Sequence, residues 1–496
     1  MRRRGNGSGI AGLILGAVAI GAIGFMAFSP LFEREDPKLT ISKDAYWNFQ
    51  DPINVDVEDS SGLKSFTATI VGPHDEWVVV DEAASSKVTK KSFQVLPPKG
   101  KRNAEAQSVV LKIEATDNSL WGLFMGNTVK KEVTLVIDQR RPVLSVIASS
   151  YKIQKGGSAI VIFKAEDAQM ESLKIETTIG KTFIAQPFYK KGYYASLLAW
   201  PVQSESFSAT VVARDKAGNE TRGTVPLRLK DHAYKVSNIE LSDAFLEGKI
   251  AELANVYEQT VGVNDRLEQF RIINEKVRDD NEKVIHTITS KVSNTLINDF
   301  KPIPFYPLVN GQKVADFGDH RIYSYKGQKN VSQAYHMGLD LASVQMGAIT
   351  SSNGGKVVFS QPNGIYGNLP IIDHGFGLYT LYGHCSDVHV HENDSVAAAQ
   401  VIAKTGMSGY AMGDHLHFGI LVQGIEVRPE EWMDSKWFQD NIASVIDTAK
   451  MFIDQGFWIA FSSFSALYFG RGFLQTKGTS PKLDMVLKSI DRKSVV

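Results

Sequence analysis

Gly413-Asp414-His415-Leu416-His417-Phe418-Gly419 is the stretch on which the reading of this chain turns. As a β-strand it puts residues two apart on one face, so His415 and His417 project together while Leu416 and Phe418 turn to a core. Two imidazoles on one strand face suit a pair in which one binds metal and the other handles protons. Seven of the 11 histidines, at 336, 374, 384, 389, 391, 415 and 417, fall between residues 336 and 417. Two more pieces stand out there: His336-Met337-Gly338-Leu339-Asp340 and Tyr382-Gly383-His384. His336 and Asp340 converge if Gly338 allows a turn or bulge between them. That imidazole and carboxylate, with one imidazole from the strand pair, make three zinc ligands. Three protein ligands and a water describe a catalytic zinc site rather than a structural one. Any single histidine here reads as an ordinary surface or core residue, but three motifs in so short a span do not.

With these motifs in order, the stretch from about Phe317 to Phe438 resembles the lysostaphin-type zinc endopeptidases, the LytM-like or M23 family. That family carries an H-x-G-x-D motif (His336, Gly338, Asp340), a Tyr-x-His element (Tyr382, His384) and an H-x-H motif (His415, His417). Intervening features agree: Asn353-Gly354-Gly355-Lys356-Val357-Val358, Tyr366-Gly367-Asn368, Ile372-Asp373-His374-Gly375, Thr405-Gly406-Met407-Ser408-Gly409 and Val427-Arg428-Pro429. Ordered motifs over about a quarter of the chain argue against chance agreement. The resemblance implies an antiparallel β-sheet domain, zinc as cofactor, and the peptide cross-links of bacterial peptidoglycan as substrate. It makes His336, Asp340 and His417 the metal ligands and His384 and His415 the catalytic histidines. His415 is then the base that takes a proton from water and His384 the donor to the developing oxyanion, two roles that the sequence leaves interchangeable.

Departures from the family touch none of these positions. Asn393-Asp394 stands for a glycine-aspartate turn, Cys385 for a leucine, and Asp414 for the commoner proline. Asn tolerates positive φ, so the turn survives. Cys385 reads as a small packed residue, and Asp414 either orients a histidine or serves as a turn carboxylate. His389-Val390-His391 is a second H-x-H, but Glu392 and Asp394 beside it mark a solvated edge. His374 is expected to make a supporting hydrogen bond.

Upstream, residues 36–231 alternate short apolar runs such as Ile53-Asn54-Val55-Asp56-Val57 with turn residues, the pattern of β-sandwiches. The stretch looks duplicated. Asp59 with Leu63-Lys64 parallels Asp167 with Leu173-Lys174, and Ala115-Thr116-Asp117-Asn118 parallels Ala213-Arg214-Asp215-Lys216. Two immunoglobulin-like (Ig-like) sandwiches, 36–140 and 141–231, fit that length; they read as spacers or as surfaces for envelope protein partners. Over 243–298, Leu246, Ile250, Leu253 and Tyr257, then Phe270, Ile273 and Val277, follow helical spacing, with a break near Gly262. This helical linker is expected to pack on the next domain. Pro302 and Pro304 mark entry to the peptidase-like domain, 303–438.

The ends set the compartment. Arg2 to Arg4, in a basic segment 1–9, precede an uncharged run from Ile10 to Phe28. Nineteen helical residues reach about 28 Å, close to the ~30 Å hydrocarbon core, and the arginines favour a cytoplasmic start. The expectation is an uncleaved transmembrane helix in the inner (cytoplasmic) membrane, with the remainder on its outer or periplasmic side. Past Trp437 the tail, 439–496, holds an uncharged run from Gly456 to Gly470, short for a membrane span. The 496 residues carry 54 Lys+Arg against 54 Asp+Glu, which excludes the basic footprint of a nucleic-acid partner. The single cysteine excludes an internal disulfide. The fold class expected is therefore mainly β: two Ig-like sandwiches, a helical linker, a C-terminal antiparallel sheet domain and an N-terminal anchor. Two other functions compete with hydrolysis: a non-catalytic wall-binding or hydrolase-activating relative, and an envelope scaffold acting through the sandwiches.

Overall fold

The computed structural model describes residues 7–73, 75–84, 88–98 and 106–455, with the side chains of 7–12 left aside. The run from Gly456 to Gly470 lies outside the described residues. The chain is mainly β, as the alternating runs predict. In Ile53–Glu58, Ile53, Val55 and Val57 are buried and the residues between them face outward. The first double-sheet unit sets a sheet of Lys38–Ile41, Ile53–Glu58 and Lys90–Val95 against one of five strands built around Leu63–Val71 and Ser108–Asp117. The second pairs two four-stranded sheets built around Ser158–Glu166 and Ala209–Asp215.

The sequence duplication reappears in the hydrogen bonds. Asp117 accepts from the Ser119 and Asn127 amides and the Asn127 side chain, and that side chain also donates to the Glu33 carbonyl. Asp215 does the same with Gly218 and Asn219, whose side chain donates to the Asp138 carbonyl. Each aspartate thus ties the end of one strand to the segment entering its unit, a turn role for which a carboxylate acceptor is well suited.

The C-terminal sheet runs Gln312–Ala315, Leu339–Ala342, Leu416–Val422, Leu378–Gly383, Asn368–Asp373, Gly355–Pro362, Ser395–Val396, with every neighbour antiparallel. Its register sets Asp340 directly opposite His417, and Gly383 opposite His417 on the other side. A smaller sheet stands beside it: Val236–Glu240 pairs parallel with Asp319–Tyr325, which pairs antiparallel with Gln328–His336.

The helical linker packs on this domain, as its periodicity predicts. Its two helical stretches, Asp243–Ala254 and Arg266–Thr289, are separated by a turn in which Gly262 has φ of 79°. Leu246, Ile250, Phe270, Ile273 and Ile285 join Tyr323, Leu369, Ile371, Tyr379 and Leu421 in one buried cluster. The linker is therefore a cover on one face of the sheet, and cutting it away would strand that apolar face in water. Phe270 is fully buried at its centre, with its ring edge-on to Phe245 and Tyr323. Phe270→Ala is expected to lower the unfolding free energy by about 3–5 kcal/mol, read by denaturant titration.

The boundary near 231 separates stretches of sequence but not cores. Residues of the second sandwich and of the C-terminal sheet form one hydrophobic cluster, with Phe188 and Phe376 in ring contact at 5.8 Å. Gln423 accepts from the Ile184 amide and donates to its carbonyl. Glu431 accepts from the Ser158 amide, and the Trp432 indole donates to the Ser158 hydroxyl. The second sandwich is thus a fused buttress rather than a free spacer. Burial pushes the Glu431 carboxyl up to about 7, against the pull of the Ser158 amide and Arg428. A folded pKa above the unfolded ~4.3 means stability is full below that value and is lost as pH rises through about 7. Glu431→Gln is expected to flatten this loss and to be about 2 kcal/mol more stable than wild type above neutral pH, as seen in unfolding curves across the window.

At the other end, the expected 10–28 span lies within the helix Gly7–Phe28. Side chains of this helix are described only from Leu13, and among the described residues no helix is long and apolar enough to cross a membrane.

Candidate metal centre

Four elements build the site. Strand Gln328–His336 delivers His336 at its end, Leu339–Ala342 carries Asp340, Leu416–Val422 carries His417, and the turn after Leu378–Gly383 presents His384. Leu416 and Phe418 are fully buried, so the period-two reading of that strand holds and His415 and His417 open onto one cavity. Gly338 does not take positive φ. It is needed instead for space: a Cβ there would lie 2.4 Å from Cε1 and Nε2 of His417. The expected turn role gives way to close packing of an imidazole on bare backbone.

His336 Nε2, Asp340 Oδ1 and His417 Nδ1 lie 2.9–3.1 Å from one another. Donors bound tetrahedrally at about 2.0–2.1 Å sit roughly 3.3 Å apart, so this triangle fits zinc with little adjustment. Its chemistry agrees. His336 Nδ1 faces the Asp316 carbonyl at 2.8 Å, which fixes the proton there and leaves the Nε2 lone pair facing inward. Buried His417 Nε2 has no hydrogen-bond partner, so nothing on that side competes for the ring orientation that aims Nδ1 at Asp340. Lone pairs converging at 3 Å call for a cation between them. Burial opposes the charge on Asp340, but the His336 and His417 rings hold its carboxyl well below the usual range. Burial lowers the His417 ring to about 4 against the pull of Asp340, so it stays neutral, as a ligand must.

The other two histidines flank this triangle. His384 has φ of 64°, a costly conformation for a side chain with a Cβ, held by its amide bonding to the Tyr366 carbonyl. Its Nδ1 faces the Ser408 carbonyl at 2.8 Å, leaving Nε2 for the cavity. Burial, with His417 and His415 nearby, lowers this ring to about 3. His415 Nδ1 faces the Gly413 carbonyl at 2.7 Å, and its Nε2 is 3.7 Å from Asp340 Oδ2. The His384 and His415 rings lie 4.9 Å apart. All five residues line a cavity of about 420 Å³.

Elsewhere the histidines stay apart. His389 pairs with Asp387 and His391 is exposed near Asp394, at the solvated edge the sequence indicates. His374 is half-buried and held between the Gly354 carbonyl and Thr380 Oγ1, a supporting position. Cys385 is buried, and burial pushes its thiol up to about 12. Asp414 accepts from Thr405 Oγ1 and the Met346 amide, so it braces the turn before His415. No motif or spacing marks the opposite wall of the cavity, where Phe245 and Arg278 come from the linker and Arg321 and Tyr323 from the smaller sheet.

Comparison with known proteins gives these residues a family. Residues 334–429 match the model of peptidase family M23. The chain is 35% identical over 94 residues to DD-carboxypeptidase/endopeptidase Mpg of Neisseria meningitidis, 19% of this chain and 22% of that protein. It is 33% identical over 107 residues to murein hydrolase activator NlpD of Salmonella dublin, 21% of this chain and 28% of that protein. The chain thus spans less than a third of the length of these curated relatives. Among solved structures, a putative peptidase M23 from Pseudomonas aeruginosa is similar at 18% identity and a TM-score of 0.34, covering 57% of this chain and 94% of that one. The stretch that gathers His336, Asp340, His384, His415 and His417 around one cavity is a domain of peptidase family M23.

Proposed function

We propose that the chain is a zinc-dependent endopeptidase that hydrolyses the peptide cross-links of bacterial peptidoglycan. In this reading the 10–28 helix anchors it in the cytoplasmic membrane, and two immunoglobulin-like sandwiches carry the catalytic domain on the outer side. The observation that carries the reading is the triangle of His336, Asp340 and His417 donors with the free nitrogens of His384 and His415 facing the same cavity. Zinc, when bound, polarises a carbonyl and lowers the pKa of water toward ~7. His415, fixed through Nδ1, has Nε2 available to take the proton of the attacking water and later return it to the leaving amine. His384, fixed the same way and kept neutral by burial, presents a lone pair at Nε2. It therefore accepts a hydrogen bond from the attacking water and orients it, rather than donating to the developing oxyanion. The buried, left-handed backbone of His384 keeps that acceptor in place before substrate arrives.

The similarity to a hydrolase activator supports a second reading, in which the domain binds wall and stimulates another enzyme. Incubating purified sacculi with the chain alone separates the two. Soluble fragments with cut cross-links support hydrolysis, whereas sacculi that dissolve only after an amidase is added support activation.

A further inference from the structure

Ten uncharged residues, Asn118 to Asn127, join two strands of the first sandwich, Ser108–Asp117 and Thr128–Ile137. At their tip Leu123, Phe124 and Met125 are 90%, 67% and 69% exposed. Gly122, Leu123 and Phe124 take φ of 64°, 61° and 71° in succession. Two bulky residues in the left-handed region are costly, and here the conformation leaves their side chains in water rather than on the sandwich core. Strain spent on exposing apolar groups points to a surface they meet.

What lies beside the tip identifies that surface. The Leu120 amide donates to the Leu31 carbonyl at 2.7 Å, and Ser119 Oγ and Asn127 Nδ2 both donate to the Glu33 carbonyl. The loop is thus pinned at both ends to Leu31 and Glu33, in the segment that follows the apolar helix ending at Phe28. Leu31 is itself 56% exposed, and Phe32 meets Phe25 of the helix edge-on. The Arg34 guanidinium sits 4.2 Å over the Trp121 ring, and Lys64 reaches the Met125 carbonyl. Carboxylates gather at the base of the loop rather than its tip: Glu33, Asp59 and Asp117 lie together there, Asp117 accepting from Ser119 and Asn127, Glu33 from Ser61 and Glu35, and Asp59 from Ser61. Apolar side chains flanked by Arg34 and Lys64, held where an uncharged helix leaves the domain, match the headgroup boundary of a bilayer.

We propose that Trp121–Met125 is a second membrane contact, dipping into the outer lipid surface beside the helix and fixing the tilt of the first sandwich. This rests on reading the 10–28 helix as a membrane anchor. The test uses the full chain. Cys385 is buried with its thiol pushed to about 12, so a cysteine introduced at position 123 takes a label selectively. Leu123→Cys and, as control, His391→Cys are labelled with an environment-sensitive fluorophore. The chains are placed in phosphatidylethanolamine–phosphatidylglycerol vesicles containing a lipid with a nitroxide high on its acyl chain. The label at 123 is expected to shift blue and lose about half its emission to the nitroxide, with the label at 391 unchanged. Flotation of the chain with vesicles after an alkaline wash reports the anchor separately. Flotation with no quenching at 123 overturns the loop contact and leaves the anchor standing. Equal quenching at both positions also overturns it, and a chain that does not float removes loop and anchor together.

Discussion

His417→Ala is expected to abolish zinc binding and, with it, hydrolysis of peptidoglycan peptides, lowering the rate by roughly four orders of magnitude. The side chain supplies one of only three converging donors, and its Nδ1 lies 2.9 Å from Asp340 Oδ1 and 3.1 Å from His336 Nε2. Two remaining donors do not hold zinc against buffer. Circular dichroism should remain that of the folded chain, because the ring touches Gly338 and Tyr366 at the cavity edge rather than the central packing of the sheet. Metal analysis of purified protein, alongside the rate of fragment release from sacculi, reads both effects. Full zinc occupancy in this variant would remove His417 from the ligand set.

His415→Ala is expected to dissociate the two effects, retaining zinc while losing about 10²–10⁴ in turnover. His415 approaches Asp340 only at 3.7 Å, and its position is set by the Gly413 carbonyl and by Asp414, which braces the preceding turn. It therefore stands beside the ligand triangle without being part of it. His384→Ala should behave alike, with a loss of about 10²–10⁴, because the Nε2 lone pair that orients the attacking water is removed while the ligand triangle stays intact. Equal zinc loss in His415→Ala and His417→Ala would undo the division between ligands and proton-handling residues.

Much of the site was legible because its information is local. The alternation around His415 and His417 needs only the strand period, and Leu416 and Phe418 are buried as that period requires. The solvated pair His389 and His391 was separable by its acidic neighbours. Gly338 shows the limit. The sequence suggests backbone freedom, whereas the glycine is there because His417, 79 residues further on, fills the place of a Cβ. Asp414 was ambiguous for the same reason, since its partners Thr405 and Met346 are brought to it only by folding. The cavity wall from Phe245 and Arg278, and the fusion of the second sandwich through Gln423 and Glu431, leave no trace in periodicity. A helix face or a buried glutamate reads the same whatever it packs against. The repeat of the sandwiches was visible as paired aspartates, but that Asp117 and Asp215 each clamp the entering segment through an asparagine required the folded contacts.

The most direct measurement is mass analysis of soluble fragments released from purified sacculi by the metal-free chain, before and after one equivalent of zinc is restored. The prediction is that fragments with hydrolysed peptide cross-links and intact glycan appear only after zinc is added. Release of the same fragments without metal, or cross-links left intact at full zinc occupancy, would contradict it.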